Sequence, residues 1–471
     1  MKASTSLEEH FAPFRKQIIG HQQVFVTPGG PKRILYADWA ASGRAYHPIE
    51  EWLIKEILPF YGNTHTGTTI TASRTTASYA AARSVIKTHV NANATDALIF
   101  CGSGMTSAVN KLQRILGLRL PERAQEYTGK IQIDEENRPL VLISHMEHHS
   151  NHTSWLETIA TVEIIRSGDD GNVDFSHLQE LLNRYRHRKH KIAAITACSN
   201  VTGIETPYHA VAEIMHAHGG HCFVDFTCSA PYVKMDMHPG DGTDDLDAIY
   251  FSMHKFLGGP GTPGVLIFNR QLYDNAVPDQ PGGGTVFYTN PWKNREYLED
   301  IEEREDGGTP AILQAIKAGQ CIRLKEEMGI ENILKREEAL VNRLMDGLSE
   351  IPGINILAAT NRKRLGLVSF VAVGIHHDKV VEMLNDQFGI QSRGGCNCAG
   401  TYGHFLLAID RKRSLAVLDS LRAGDWRSKP GWVRISIHPT TTDAELDFIV
   451  TAVKKMSRLI RGCRKSRQFL V

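Results

Sequence analysis

Long apolar runs are missing from this sequence. Its apolar stretches fall well short of the roughly 20 residues that a membrane-spanning helix needs, and Met1-Lys2-Ala3-Ser4-Thr5-Ser6 carries no apolar signal region. A cytoplasmic chain with no membrane partner is therefore expected. An excess of one charge sign is missing too: 53 Lys and Arg face 52 Asp and Glu, for a net charge of +1. That balance argues against nucleic acid or acidic lipid as a main partner. No internal repeat or low-complexity segment occurs. No Cys/His cluster has metal-ligand spacing, so no metal is expected. The eight cysteines, Cys101, Cys198, Cys222, Cys228, Cys321, Cys396, Cys398 and Cys463, are scattered, several of them in apolar, strand-like contexts. Reduced thiols are the expected state.

What is present is an alternation. From about residue 30 to 270, short apolar segments alternate with amphipathic ones. Leu98–Phe100, Leu140–Ile143, Val162–Ile165, Ile192–Ile195, Cys222–Asp225 and Val265–Phe268 read as buried strands. Helical patterns lie between them, at Ser78–Val90, Thr106–Leu116, Phe175–Tyr185 and Ala210–His218. Such alternation predicts an α/β unit, a mostly parallel sheet with helices on both faces, with ligands at the carboxyl ends of the strands. A long helical stretch at Ala311–Met345 follows a glycine turn, then a strand at Leu367–Val371, a helix near Lys379–Gln387 and a strand at Trp432–Ile437. The expected division is an N-terminal arm (1–27), a large domain (28–300) and a smaller C-terminal α+β domain with a linking helix (301–471). The basic end of the last helix, Arg458–Arg467, reads as a solvated face, and Pro121–Pro139 as a surface excursion.

Ser252-Met253-His254-Lys255 is the most telling segment. It follows the apolar run Leu246–Phe251 and precedes the glycine-rich stretch Gly258–Gly264. A lysine leaving a buried strand into a loop of small residues is placed for desolvation, which frees its neutral amine to condense with an aldehyde. The working expectation is a lysine that holds pyridoxal 5'-phosphate (PLP) covalently. PLP also needs a carboxylate for the pyridine nitrogen, a flat face over the ring and donors for the phosphate. Asp225, ending the strand Cys222–Val224, would be costly there without a cation; it would equally serve as a turn cap with Thr227 or Ser229. His148, in Met146-Glu147-His148-His149-Ser150-Asn151 at another strand end, could stack on a flat cofactor, with a structural or metal-pairing role as alternatives. Gly102-Ser103-Gly104-Met105-Thr106 feeds a helix N-terminus, which presents free amides and a favourable dipole to phosphate, although a capped helix looks the same. It is no P-loop, because no Gly-Lys-Ser/Thr follows.

Together these segments resemble the class V aminotransferases, and within them the cysteine desulfurases and selenocysteine lyases. The resemblance runs from Tyr36-Ala37-Asp38-Trp39-Ala40-Ala41 to the strand containing Arg434 and includes Asn63-Thr64-His65-Thr66-Gly67, Ser199-Asn200-Val201-Thr202-Gly203 and Asp306-Gly307-Gly308-Thr309-Pro310. It implies PLP fold type I with a seven-stranded sheet, and a homodimer. It also implies roles: Lys255 carries the cofactor, His148 stacks on it and Asp225 meets its ring nitrogen. Met105 (through its backbone), Thr106, Ser252 and His254 would hold the phosphate, while Gly284 and Thr285 would reach the phosphate of the partner subunit. His65 is an implied substrate contact. One departure stands out: where many desulfurases have a glutamine three residues after the aspartate, this chain has Cys228, a poor donor.

The segment Ser392-Arg393-Gly394-Gly395-Cys396-Asn397-Cys398-Ala399-Gly400 speaks to the reaction. Arg393 offers a planar fork for an α-carboxylate, with Asn200 as a second contact. Arg393 to Ala399 matches the desulfurase pattern Arg-X-Gly-X-X-Cys-Ala with Cys398 as nucleophile. Cys396 is an extra thiol, at a spacing reminiscent of the molybdenum-cofactor sulfurases, that could relay or resolve a persulfide. The expected activity is transfer of sulfur from L-cysteine to Cys398, leaving L-alanine, with a sulfur-acceptor protein as a further partner. The alternatives are another class V reaction (transamination, β-elimination or epimerisation) or a non-catalytic relative of the fold.

Overall fold

The computed structural model describes residues 6–64, 66–129 and 131–465, and divides into two compact units. One comprises Gly43–Ala197 and Thr206–Glu327; the other comprises the N-terminal segment to Ser42, Cys198–Glu205 and the chain from Met328 onward.

In the first unit, seven strands form one sheet: β1 (Asp96–Cys101), β2 (Leu140–Ser144), β3 (Thr161–Ile165), β4 (Lys191–Thr196), β5 (His221–Asp225), β6 (Ala248–Ser252) and β7 (Gly264–Asn269), in the order β1-β7-β6-β5-β4-β2-β3. Only β7 runs against its neighbours. β2, β4 and β6 are buried along their whole length, as a sheet covered on both faces requires. Alternation along β1 shows the two layers. Ala97, Ile99 and Cys101 pack with Met105, Ala108, Val109 and Leu112 of the helix Met105–Ile115. Phe100 points the other way, against Tyr79, Ile312, Ala315 and Ile316. Each fully buried Leu, Ile or Val in such layers contributes roughly 1.5–3 kcal/mol.

The second unit is built on a four-stranded antiparallel sheet of Ile354–Ile356, Leu367–Ala372, Trp432–Ser436 and Arg393–Gly395, in that spatial order. Its core joins Val368, Phe370, Val433 and Ile435 to Leu340, Leu344 and Leu348 of the helix Ile330–Ser349, and to Ile449, Val453 and Met456 of the helix Asp443–Lys465.

Two differences from the sequence expectation have physical causes. Residues 28–42 belong to the second unit, because Leu35–Tyr36 pairs in parallel with Ile390–Gln391 and Asp38 bridges to Ser436. The predicted long helix at 311–345 is two helices, Ile312–Met328 and Ile330–Ser349, separated by Gly329 at φ 78°. That left-handed conformation favours glycine and ends a helix, and it places the boundary between units near 328 rather than 300. Helices at Gly400–Leu406 and Arg411–Arg422 were not anticipated. No described helix is long and apolar enough to cross a membrane.

Candidate functional site

Strand register brings one group of the expected residues together in the first unit. Gly264 pairs with Cys101 on one side and with Ser252 on the other, so the Gly102–Thr106 turn and the Ser252–Lys255 segment flank the same glycine. Nothing larger fits there: a Cβ on Gly264 would lie 2.3 Å from the Gly104 carbonyl oxygen, and one on Gly104 would lie 2.9 Å from Ser252 Oγ. Met105 N donates to Ser252 Oγ at 2.8 Å, so these two expected phosphate ligands are bonded to each other. Thr106 Oγ1 is 2.7 Å from Ser150 Oγ. Lys255 closes a single 3-10 turn after β6 and is half-buried, as is His254. Burial, followed by the neighbouring charge of Lys255, pulls the His254 imidazole down to about 4, so the ring is neutral at physiological pH.

Asp225 ends β5, opposite Thr196 and Tyr250 on the flanking strands, and is 3% exposed. Burial raises its pKa; hydrogen bonding from Thr227, whose backbone N donates to Oδ1 at 2.9 Å, and the positive charge of Lys255 pull the other way. His148 is the N-cap of the helix His149–Leu156, and its Nδ1 accepts from Ser150 N at 3.1 Å. That acceptor role assigns the ring proton of a neutral His148 to Nε2.

Beneath these groups lies a buried network to which the sequence reading gave no role. Glu147 Oε1 accepts from Ser144 Oγ (2.5 Å) and Thr196 N (2.8 Å), and Oε2 accepts from Asn151 Nδ2 (2.7 Å). Asn151 Oδ1 accepts from Tyr250 OH (2.6 Å) and Trp155 Nε1 (3.1 Å). Burial lifts the Glu147 carboxyl to about 8 despite these donors, and the charge of Asp225 adds to the rise. Glu147 therefore keeps its proton at neutral pH, while Asp225 has cationic support. The signal was present in the sequence as a carboxylate adjoining His148 at a strand end.

The expected residues of this group fit PLP. An amine, an aspartate, an imidazole and a helix N-terminus converge on one edge of the sheet, around a cradle that only glycine can line. Thr285 does not join them within the chain: it is fully buried, and its hydroxyl donates to Gly282 O at 2.7 Å. Cys228, in the position of the expected glutamine, is buried as well.

The other expected residues lie in the second unit. Arg393 is paired in the sheet with Arg434. Its Nε and Nη2 each lie 2.9 Å from Asp38 Oδ2, so one edge of the expected carboxylate fork is engaged by Asp38; the side chain is half exposed. Asn200 also differs from expectation, because its Nδ2 donates to Asn397 O at 2.7 Å and so holds the residue between the two thiols. Asn397 and Cys398 have φ of 51° and 56°, a left-handed conformation that costs a residue with a side chain about 1–2 kcal/mol. Among the seven described cysteines, Cys398 alone is exposed; Cys396 is intermediate and the other five are buried. His65 and the end of the basic tail at Arg467 lie outside the described residues. His376, His377 and Asp378 lie close enough to share a cation, but His376 caps the helix His377–Phe388 through Asp378 N, which accounts for the cluster locally.

Comparison with known proteins gives a consistent result. The aminotransferase class-V pattern matches residues 35–449. A protein of Halalkalibacterium halodurans named "Probable cysteine desulfurase" is 30% identical over 374 residues, which cover 78% of this chain and 84% of that protein. A Streptomyces coelicolor protein of the same name is 27% identical over 372 residues, with the same coverages. Among solved structures, the cysteine desulfurase of Thermococcus onnurineus aligns with a TM-score of 0.75 at 23% identity, over 95% of this chain and 98% of that one. The cysteine desulfurase CsdA of Escherichia coli aligns at 0.72 with the same identity and coverages. These likenesses identify the fold as PLP fold type I, as the sequence led one to expect. The chain belongs to the aminotransferase class V family, whose members are enzymes that use PLP.

Proposed function

We propose that this enzyme binds PLP and is a cysteine desulfurase-like sulfurtransferase, moving the sulfur of L-cysteine onto Cys398 and releasing L-alanine. The observation that carries the reading is the exposure of Cys398, alone among the described cysteines, on the segment that opens with Arg393. The relatives named as cysteine desulfurases support the same reaction class.

When bound, PLP supplies an electron sink that weakens the bonds around an amino-acid α-carbon. The residues of the chain do the rest. Lys255 would hold the cofactor through Nζ and would carry the α-proton of the substrate on the same atom. Asp225 would face the ring nitrogen; burial raises its pKa, and the hydrogen bonds of Thr227 and the charge of Lys255 act against that rise. His148 would lie against the ring. Met105 N, Thr106, Ser252 and His254 would hold the phosphate. Arg393 takes the carboxylate in its fork, and Asn200 both assists it and steadies the cysteine loop. The Cys398 thiolate then attacks the substrate sulfur: the S–S bond forms as the C–S bond breaks, the carbon takes up a proton, and alanine leaves a persulfide on Cys398. A thiol of an acceptor protein removes that sulfur.

We propose a cytoplasmic homodimer in which Gly284 and Thr285 of one chain approach the phosphate held by the other. The hairpin that follows them, Val286–Thr289 with Arg295–Tyr297, exposes Phe287, Tyr288 and Trp292, an apolar surface suited to a second copy.

A screen of amino acids, with cysteine and selenocysteine included, that follows alanine, keto acid and sulfide together tests the function. Alanine and sulfide from L-cysteine, in the presence of a thiol acceptor, are expected. Keto acid without alanine would instead assign a transaminase or β-lyase.

A further inference from the structure

Lys111 is only 4% exposed, on the helix Met105–Ile115, where a charge needs partners because water cannot reach it. The partners come from two separate stretches of chain. Lys111 Nζ lies 2.6 Å from Glu305 Oε2 and 3.4 Å from Asp279 Oδ2. One turn further along, Arg114 grips the same aspartate with two bonds, Nε to Oδ1 at 2.6 Å and Nη2 to Oδ2 at 2.9 Å; a planar fork on a carboxylate fixes geometry as well as charge. Glu305 closes the circle, because its Oε1 accepts from Asp279 N (3.0 Å) and from Tyr273 OH (2.7 Å). Two cations and two carboxylates balance one another.

The cluster supports a loop at both ends. Asp279 immediately precedes Gln280–Thr285, in which Pro281–Gly284 are exposed and Thr285 is buried. Gly282 N donates to Thr285 Oγ1 at 3.2 Å, and the same hydroxyl donates back to Gly282 O at 2.7 Å. The other support follows Glu305: Gly308 N donates to Gly283 O at 2.8 Å, and a Cβ on Gly307 would lie 2.3 Å from Gln280 O. The loop therefore hangs between Asp279 and the Glu305–Gly308 segment, and Lys111 is the side chain that ties both to one helix. That helix begins at Met105, whose N donates to Ser252 Oγ in the glycine cradle; Lys111 lies six residues, about 9 Å, further along.

We infer that Lys111 is a positioning residue that acts across the dimer: it fixes the Gln280–Thr285 loop of one copy against the phosphate site of the other. The inference rests on the proposed homodimer and its PLP, whereas the bonds that hold the loop do not. Lys111 touches no cofactor; its effect passes through Asp279 and Glu305. An ammonium suits the task because, as a compact point charge, it sits between two carboxylates from different segments. An apolar residue there would leave Glu305 buried without its cation, and a broken buried pair loosens what it joined.

Mixed dimers of two differently tagged full-length copies separate action within a chain from action across the interface. One copy, the reporter, keeps Lys255; the other carries Lys255→Ala, so the visible absorbance of covalently held PLP reports the reporter's site alone. An excess of a second PLP-dependent apoenzyme captures what is released, and the rate of absorbance loss reads the hold on PLP without any turnover. With Lys111→Met placed in the Lys255→Ala copy, release from the reporter should be at least about fivefold faster, the lower end of ordinary coupling between sites. With Lys111→Met placed in the reporter instead, release should stay within about twofold of the control. Unchanged release in the first arrangement, or release at least as fast in the second as in the first, would overturn the inference. Should Lys111→Met not fold, Lys111→Met with Glu305→Gln removes the pair without stranding a carboxylate, and the same two arrangements decide. Thr285→Val in the Lys255→Ala copy judges the underlying reading separately. If it leaves release unchanged, or if the copies never pair, the loop has no place at the partner's site and the role of Lys111 falls with it. Faster release with Thr285→Val but not with Lys111→Met refutes Lys111 alone.

Discussion

The strand-end group around Lys255 and the loop carrying Cys398 are built on opposite principles. The first is made by register: Asp225, Ser252 and the Gly102–Thr106 turn are fixed by strand pairs, close packing and a buried hydrogen-bond network through Glu147 and Asn151. The second is a turn in a left-handed conformation that exposes Cys398 and is tied down by a few bonds. The contrast fits a division of labour in which holding a cofactor calls for rigid preorganisation and a thiol that must receive and then surrender a sulfur atom has to reach outward.

The largest expected effect strikes the rigid half. Lys255→Ala should abolish the visible absorbance of covalently held PLP and lower turnover by roughly 10²–10⁴-fold, the usual contribution of a positioned acid–base group. Absorbance that survives the substitution would refute the assignment of Lys255.

Cys398→Ser breaks only the half that carries the thiol. Persulfide formation from L-cysteine should fall at least about 100-fold, by loss of the nucleophile, while cofactor absorbance stays intact. A variant as active as the parent would leave the PLP reading standing and move the chemistry to a different class V reaction.

The smallest effect concerns Glu147 and sharpens the idea of a buried, preorganised edge. Its pKa in the fold is about 8 against 4.5 for an ordinary glutamate, so the unfolded chain loses this proton first. Its contribution therefore weakens stability progressively as the pH rises from about 4.5 towards 8, at about 1.4 kcal/mol per pH unit, or about 3 kcal/mol by pH 7. In Glu147→Gln, denaturant unfolding followed from pH 5 to 8 should lack this downward slope. An identical slope in both proteins would mean that Glu147 is ionised throughout.

Much of the cofactor half was legible in the sequence, because buried parallel strands are continuous apolar runs and their polar ends stand out: Asp225 after Cys222-Phe223-Val224, and Ser252 after Ala248–Phe251. Glu147 was not, since its role depends on donors from Ser144, Thr196 and Asn151 that only folding assembles. In the other unit, Arg393 and Cys398 were visible through local glycines. Asp38 and Arg434 acquire meaning only when Tyr36 and Gln391 pair across more than 350 residues of sequence and Arg434 faces Arg393. The break at Gly329 was missed because both flanking helices are apolar enough to read as one, and a single positive φ settles the matter.

The central claim is that Cys398 receives the sulfur, and peptide mass spectrometry after a short exposure to L-cysteine tests it most directly. The account predicts one added sulfur atom on the peptide containing Cys396 and Cys398, absent from Cys398→Ser, retained in Cys396→Ser and matched by alanine formed in the first turnover. Alanine released with no sulfur on that peptide, or a persulfide that persists in Cys398→Ser, would contradict it.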